Sequence, residues 1–221
     1  MKKVVIVGAG GQSQAVLEAA TLSNEDVEII GYIDKNSNLH GKLLSGLPVF
    51  GDITALYELN SKKQIDAAFV AIGDNYIRSK YIDILNNLGI DLISVIHPKA
   101  IISGSSTIGK GVYIGPGAII GPQVVIEDYS LINMNCSIPH YNKIGKYVNI
   151  SPNVAMGGGT TIGTHTFIGI GSSLVQYIDV GKHVIVGAGT VVINNVVDNV
   201  VIVGCPGKVL KANNKHKVSQ S

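Results

Sequence analysis

Ile108-Gly109-Lys110-Gly111-Val112-Tyr113-Ile114-Gly115-Pro116-Gly117-Ala118-Ile119-Ile120-Gly121 states one six-residue phrase twice and begins it a third time. The phrase runs aliphatic, glycine, variable, glycine, small or β-branched, variable. Followed outward, its first position is aliphatic or Met at every sixth residue from Ile96 to Val192, with Met156 the single sulfur-containing member. A period of six is neither the 3.6 of a helix nor the alternation of an ordinary strand. It is the signature of a parallel β-helix, in which each hexad forms one short flat side of a coil. Three hexads per coil predict 18 residues per turn, five to six coils, and stacking of any two residues 18 apart. Glycine follows the aliphatic position at Gly109, Gly115, Gly121, Gly145, Gly163, Gly169, Gly181 and Gly187, where tight bends are expected. Two residues before the ladder the side chains are small or β-branched, as at Val112, Ala118, Ser130, Val148 and Thr166, which suits the inner walls of a narrow rod.

Upstream the rhythm changes. Lys3 to Val7 reads as a buried strand running into Gly8-Ala9-Gly10-Gly11, and Ser13 to Leu22 has helical spacing through Val16, Leu17 and Ala20. Val27 to Ile33 is a second strand ending at Asp34, and Ala67 to Ile72 a third, closed by Gly73-Asp74-Asn75. Tyr76 to Leu88 is a helix with Ile77, Tyr81, Ile84 and Leu85 on one face. Leu92 to Ile96 is the last strand before His97-Pro98. Alternating strands and helices imply a Rossmann-like α/β domain over 1–95, with a parallel sheet and a ligand crevice at the strand C-termini. The β-helix domain takes 96–221. Past Val192, Val200 to Val203 with Gly204-Cys205-Pro206-Gly207 reads as a capping strand and turn, and Lys208 to Ser221 as a solvated tail.

A net charge of +2 with 14% charged residues speaks against a nucleic-acid surface. No apolar run approaches the roughly 20 residues of a membrane span. The apolar start is broken by Gly8, Gly10 and Gly11, unlike a signal peptide, so a cytoplasmic protein is expected. Cys136 and Cys205 make neither a disulfide framework nor a metal pattern.

Three features carry chemistry. His140, in Ser137-Ile138-Pro139-His140-Tyr141-Asn142, lies off the ladder. The 18-residue register sets Pro122 one coil before it and Gly158, within Gly157-Gly158-Gly159, one coil after, leaving room beside an imidazole suited to proton transfer near neutral pH. The competing reading is an exposed surface histidine. His165 and His183 are 18 apart on a line with Tyr129 and Tyr147. They point to ring stacking or a subunit interface, because zinc would need about three converging protein ligands. Finally, Gly8-Ala9-Gly10-Gly11-Gln12-Ser13 after a strand is a phosphate-cradle signal. Asp34 is placed to bond a ribose hydroxyl. Ser13 stands where a dinucleotide fingerprint has glycine, and the domain is short for two nucleotide halves, so one nucleotide is expected rather than NAD. A ligand-free glycine turn is the alternative.

These stretches, with Tyr32-Ile33-Asp34, Ala71-Ile72-Gly73-Asp74-Asn75, Arg78, Ile96-His97-Pro98 and Val203-Gly204-Cys205-Pro206-Gly207-Lys208, resemble a family of bacterial sugar acetyltransferases over nearly the whole chain. That family joins a small Rossmann-like domain to a left-handed β-helix and includes the PglD-like UDP-4-amino-sugar N-acetyltransferases and the sialic acid O-acetyltransferases. The resemblance implies a sugar nucleotide held by Gly10, Gly11, Gln12, Ser13, Asp34, Lys35, Gly73 and Asn75, with Asn133 beside the sugar. It implies His140 as the general base that deprotonates the attacking group. It also implies a homotrimer with acetyl-CoA as co-substrate between neighbouring β-helices, near Asn149, Gly169 and Ile170, and no metal. Two positions depart from the amine-acetylating members: Tyr141 replaces the acid that commonly follows the histidine, and Asn149 replaces a second histidine. A backbone carbonyl is then expected to orient His140. The expected function is N-acetylation of a nucleotide-linked (UDP) amino sugar for cell-surface glycan synthesis, with sialic acid or CMP-sialic acid O-acetylation as the alternative. A nicotinamide-dependent oxidoreductase and a non-catalytic trimeric scaffold are the other classes.

Overall fold

A computed structural model describes residues 1–23 and 25–214, and the chain divides into two compact units, Met1–Pro98 and Lys99–Ser221. In the first, β1 (Lys2–Val7), β2 (Val27–Ile33), β3 (Leu43–Leu44), β4 (Leu47–Gly51), β5 (Ala67–Val70) and β6 (Asp91–Leu92) form one sheet in the order β3-β4-β2-β1-β5-β6. All neighbours are parallel except the β3–β4 hairpin. The unbroken apolar run Val4–Val7 is buried throughout, as a central strand covered on both faces requires. Helices α1 (Gly11–Leu22), α2 (Ile53–Ser61) and α3 (Asn75–Asn87) cover the sheet, burying Val16 and Ala19, Leu56 and Leu59, and Ile82 and Leu85. Strand order reverses at β1, with β2 on one side and β5 on the other. The crevice that such a reversal opens lies beyond the strand C-termini.

Several elements differ from the sequence expectation. The buried face of α3 is Arg78, Ile82 and Leu85, while Ile77 is exposed. The face is turned because Arg78 is drawn inside by carbonyl acceptors. The final strand is split into Asp91–Leu92 and Val95–Ile96. The hairpin and α2 occupy residues that show no clear period, being short elements held by a local cap from Asp52 to the Thr54 N–H (2.9 Å).

The second unit is the left-handed parallel β-helix. Residues pair 18 apart, as Ile119 with Ser137, Val125 with Lys143 and Leu131 with Asn149. Each coil therefore has three two-residue strands, one in each of three flat sheets. The first sheet passes through Tyr113, Leu131, Asn149, Phe167 and Ile185. The second runs through Ile119, Ser137, Ala155 and Ser173, and the third through Val125, Lys143, Thr161 and Asp179. Backbone bonds join coils across 17 residues, for example Ile101 N–H to Ala118 O and Val125 N–H to Asn142 O, both 2.9 Å. The ladder from Ile114 to Val192 stacks down the axis with no member more than 6% exposed. Each such side chain contributes roughly 1.5–3 kcal/mol by leaving water. The wall residues Val112, Ala118, Val124, Ser130, Val148 and Val154 are fully buried around it.

The tight bends fall three residues after the ladder, not on the glycine that follows it. Left-handed backbone occurs at Gln123, Tyr129, Asn135, Tyr141, Tyr147, Asn153, His165, Tyr177 and His183, with φ between 56° and 64°. The glycine after the ladder has another reason. A Cβ on Gly163 would stand 2.6 Å from Gly181 C and from Lys182 N, so the next coil's backbone leaves no room.

Rings at four of the bends stack in a column, Tyr129 on Tyr147 (5.2 Å), Tyr147 on His165 (4.7 Å) and His165 on His183 (5.2 Å). At the end, Val200–Val203 pairs with Ile185–Val186 and then antiparallel with Lys208–Ala212. Lys208–Ala212 is thus a strand rather than solvated tail, and Asn213 caps it by donating to His183 O (2.7 Å). The remainder of the expected tail, 215–221, lies outside the described residues.

Because the obstacle at Gly163 is the Gly181–Lys182 peptide of the next coil, Gly163→Ala is expected to cost about 1–3 kcal/mol of stability. Chemical denaturation measures this; a midpoint equal to that of the native sequence would refute the packing account.

Candidate active site

In the first unit a crevice of about 410 Å³ opens at the strand reversal, lined by Gly8, Gly10, Gly11 and Gln12 after β1, Ile33, Asp34 and Lys35 after β2, and Ala71, Ile72 and Gly73 after β5. Gly10 is the N-cap of α1 and has no side chain to satisfy the first turn. Among the described residues no acceptor meets the Gly11 or Gln12 N–H, so these donors and the positive end of the helix face whatever enters. A Cβ on Gly10 or Gly11 would meet nothing within 4 Å, so packing inside the chain does not demand glycine at either position. Gln12 Nε2 is shielded from solvent and lacks an acceptor among the described residues.

Ser13 is fully buried, and its hydroxyl donates to Gly10 O at 2.6 Å. It therefore holds the loop's shape from beneath and is not positioned to touch a ligand. Asp34 also serves the loop: one carboxylate oxygen accepts the Ala9 N–H (2.7 Å) and the other the Asn36 N–H (2.8 Å). An ionised carboxylate has further acceptor capacity, so a hydroxyl can still bond it.

The turn after β5 is built on Arg78, whose guanidinium, 1% exposed, donates to Ile72 O (2.8 Å) and to Asn75 Oδ1 (2.9 Å). Asp74 caps α3 through the Tyr76 and Ile77 N–H groups. Tyr81 and Ile77 complete the lining. Burial, with the nearby Asp34 and Asp52 carboxylates, raises the Tyr81 phenol above its usual range, which keeps it a neutral hydrogen-bond donor. The sequence reading placed Tyr81 on an apolar helix face; its position less than two turns beyond Asn75 on the same helix was the available signal.

In the β-helix, His140 occupies the corner between the second and third sheets and is exposed. Its backbone is gripped from both coils: Tyr141 N–H donates to Pro122 O (3.1 Å) and Gly159 N–H to His140 O (2.9 Å). The ring lies over Gly158, where a Cβ would come within 2.3 Å of His140 Cε1 and 2.7 Å of Nδ1. Tyr141 meets it edge-on at 5.4 Å between ring centres. The expected orienting carbonyl is not present: among the described residues nothing accepts from or donates to the imidazole nitrogens. Tyr177 covers Gly159 as His140 covers Gly158, so two rings border the glycine floor.

Asn133 and Asn149 meet at the side of the rod away from that corner. Asn133 Nδ2 donates to Asn149 Oδ1 (3.0 Å) and to Ile150 O (2.8 Å), leaving its own oxygen without a donor among the described residues. Gly169 and Ile170 lie at the corner between the first and second sheets, two coils after Asn133. The Gly169 N–H is committed to Val186 O (2.8 Å), whereas no backbone carbonyl among the described residues accepts the Ile170 N–H. Asn149 is nine residues from His140, half an 18-residue coil. One chain therefore gathers Asn133, Asn149, Gly169 and Ile170 but holds His140 at the next corner.

Cys136 is 1% exposed and burial pushes its thiol up to about 11, so it stays a thiol within the wall. Among the described residues no group of three or more His, Cys, Asp or Glu side chains is arranged to hold a metal, and no helix is long and apolar enough to cross a membrane.

A Rossmann-like unit followed by a left-handed β-helix is an architecture found in sugar acetyltransferases of known structure. Residues 3–85 match the PglD N-terminal domain. PerB from Caulobacter crescentus, solved with CoA and GDP-perosamine, is 32% identical, covering 95% of this chain and 97% of its own, with a TM-score of 0.87. The acetyltransferase domain of PglB from Neisseria gonorrhoeae, solved with acetyl coenzyme A, is 30% identical over 95% and 99% of the two chains, with a TM-score of 0.86. WeeI from Acinetobacter baumannii, 24% identical over 95% and 100%, shares the fold with a TM-score of 0.79. No curated protein sequence matches. The chain belongs to this family of bacterial sugar acetyltransferases and is an acetyl-CoA-dependent enzyme.

The three atoms nearest an added methyl at Gly158 all belong to the His140 ring, and its φ is not in the left-handed region. Gly158→Ala should therefore fold with an unchanged melting temperature while moving the ring and lowering kcat by at least tenfold. Undiminished turnover would show that the ring's seat over Gly158 is irrelevant.

Proposed function

We propose that this enzyme transfers the acetyl group of acetyl-CoA to the amine of a nucleoside-diphosphate-linked amino sugar, UDP first among the nucleotides, with His140 as general base. The observation that carries this reading is His140 itself, an imidazole seated on a glycine floor with no polar partner among the described residues. A base needs an open face and an unengaged nitrogen to take a proton from an incoming nucleophile. The similarity to the GDP-perosamine N-acetyltransferase of Caulobacter crescentus supports the choice of an amine on a nucleotide-linked sugar.

The reaction follows from these groups. The amine nitrogen attacks the thioester carbonyl, the N–C bond forms, and its proton passes to His140. The C–S bond then breaks and CoA leaves, taking a proton as its thiol. An amide donor at Asn149 or the backbone N–H of Ile170 steadies the oxygen that becomes negative in between. The crevice glycines and Gln12 hold the diphosphate, Asp34 a ribose hydroxyl and Lys35 the rim, with Asn75 shaping the turn behind it through Arg78, while Asn133 accepts from the sugar. Since one coil holds His140 and Asn149 half a turn apart, the reading requires His140 from one protomer and Asn133 with Asn149 from its neighbour, as in a trimer closed by threefold symmetry.

Turnover is measured by free thiol released from acetyl-CoA with UDP- and GDP-linked amino sugars and, in parallel, with CMP-sialic acid and sialic acid. The amino sugars are expected to react and the sialic acids not to. Reaction of the sialic acids alone would replace the acceptor in this reading. His140→Ala should lose about 100-fold or more in kcat. Retention of more than about a tenth of the rate would remove His140 as the base.

A further inference from the structure

Wall positions of the β-helix are filled by small or β-branched side chains almost everywhere, yet Asn142 occupies one and is completely buried. Ser130 and Thr166 show what a polar wall residue ordinarily does. Each hydroxyl donates to a carbonyl 15 residues on, Gly145 O at 2.8 Å and Gly181 O at 2.7 Å, and accepts the N–H 18 residues on, Val148 and Val184, both 3.1 Å. This is a latch between successive coils.

Asn142 makes the same latch and more. Its Oδ1 accepts the Thr160 N–H (3.1 Å) and its Nδ2 donates to Gly157 O (3.2 Å). A carboxamide has a second N–H, which a hydroxyl lacks. That hydrogen turns back to Pro139 O at 2.7 Å, with His140 O at 3.4 Å beside it. One buried side chain thus ties the Pro139–His140 segment to the Gly157–Thr160 segment, which is the floor under the His140 ring. Both ends of the tether carry the geometry on which the imidazole depends, and the ring has no hydrogen bond of its own among the described residues.

We propose that Asn142 is a positioning residue that fixes the His140 imidazole over Gly158, a task performed through the backbone rather than by a partner on the ring. The proposal rests on the reading of His140 as the base. It also accounts for how an enzyme with Tyr141 in place of an acid can hold its histidine.

Asn142→Thr keeps a hydroxyl of the kind that serves at Ser130 and Thr166 and removes the second donor. It is expected to lower kcat by about 10–100-fold with the KM for acetyl-CoA and for the sugar nucleotide unchanged. Added to His140→Ala it should lower the rate no further, because the group it positions is already gone. Ser130→Ala, which breaks an equal latch at another corner, should lower the melting temperature comparably and leave kcat intact. An Asn142→Thr enzyme within twofold of the native kcat, a loss in the double variant that multiplies with that of His140→Ala, or an equal kcat loss in Ser130→Ala would overturn the positioning role. A His140→Ala enzyme that keeps its rate would instead overturn the reading of the base, so the two failures are distinguishable.

Discussion

Closure of the coil after 18 residues is the constraint on which everything else in the β-helix rests. Parallel bonds from one coil to the next fix each residue above the one 18 earlier, as Val125 above Thr107 and below Lys143. The aliphatic ladder then meets only itself on the axis and is buried without gaps from Ile114 onward. Left-handed backbone costs a residue other than glycine roughly 1–2 kcal/mol. Tyr129, Tyr147, His165 and His183 accept it at successive coils because the ladder and the coil-to-coil bonds leave the chain no other path.

The same constraint decides what can be near what. It stacks Gly158 on His140 and Gly159 beneath Tyr177, and it sets Asn149 half a coil from His140. Within the α/β unit the equivalent constraint is polar. Arg78, Ser13 and Asp34 spend their hydrogen bonds on the backbone of the turns that line the crevice, so the glycine loop keeps its open N–H groups without closing on itself.

Much of the rod was readable from spacing, since a six-residue period reports inward and outward positions directly. The seat of His140 over Gly158 followed from the same arithmetic. The location of the bends was not readable. Glycine marked where neighbouring backbone approaches, as at Gly163, while the left-handed positions are held mainly by Tyr, His, Asn and Gln, residues without a shared side-chain signature. In the α/β unit, Arg78 was marked by the family resemblance but given no role, because its partners, the Ile72 carbonyl and Asn75, are set by how the turn folds. Ser13 matched a ligand-contacting position by alignment of motif, but its hydroxyl is turned inward. Lys208–Ala212 looked soluble by composition, yet its backbone extends the first sheet.

The central proposal is that two chains share the acetyl-transfer site, because the coil register sets Asn149 half a coil from His140 within one chain. Mixing His140→Ala chains with Asn149→Leu chains, each first shown to be slow alone, and reassembling them tests it most directly. Interfaces that pair an intact imidazole from one chain with an intact carboxamide from the other would restore turnover well above that of either parent. Mixed assemblies no more active than the parents would contradict the account, for they would mean that both groups must come from the same chain.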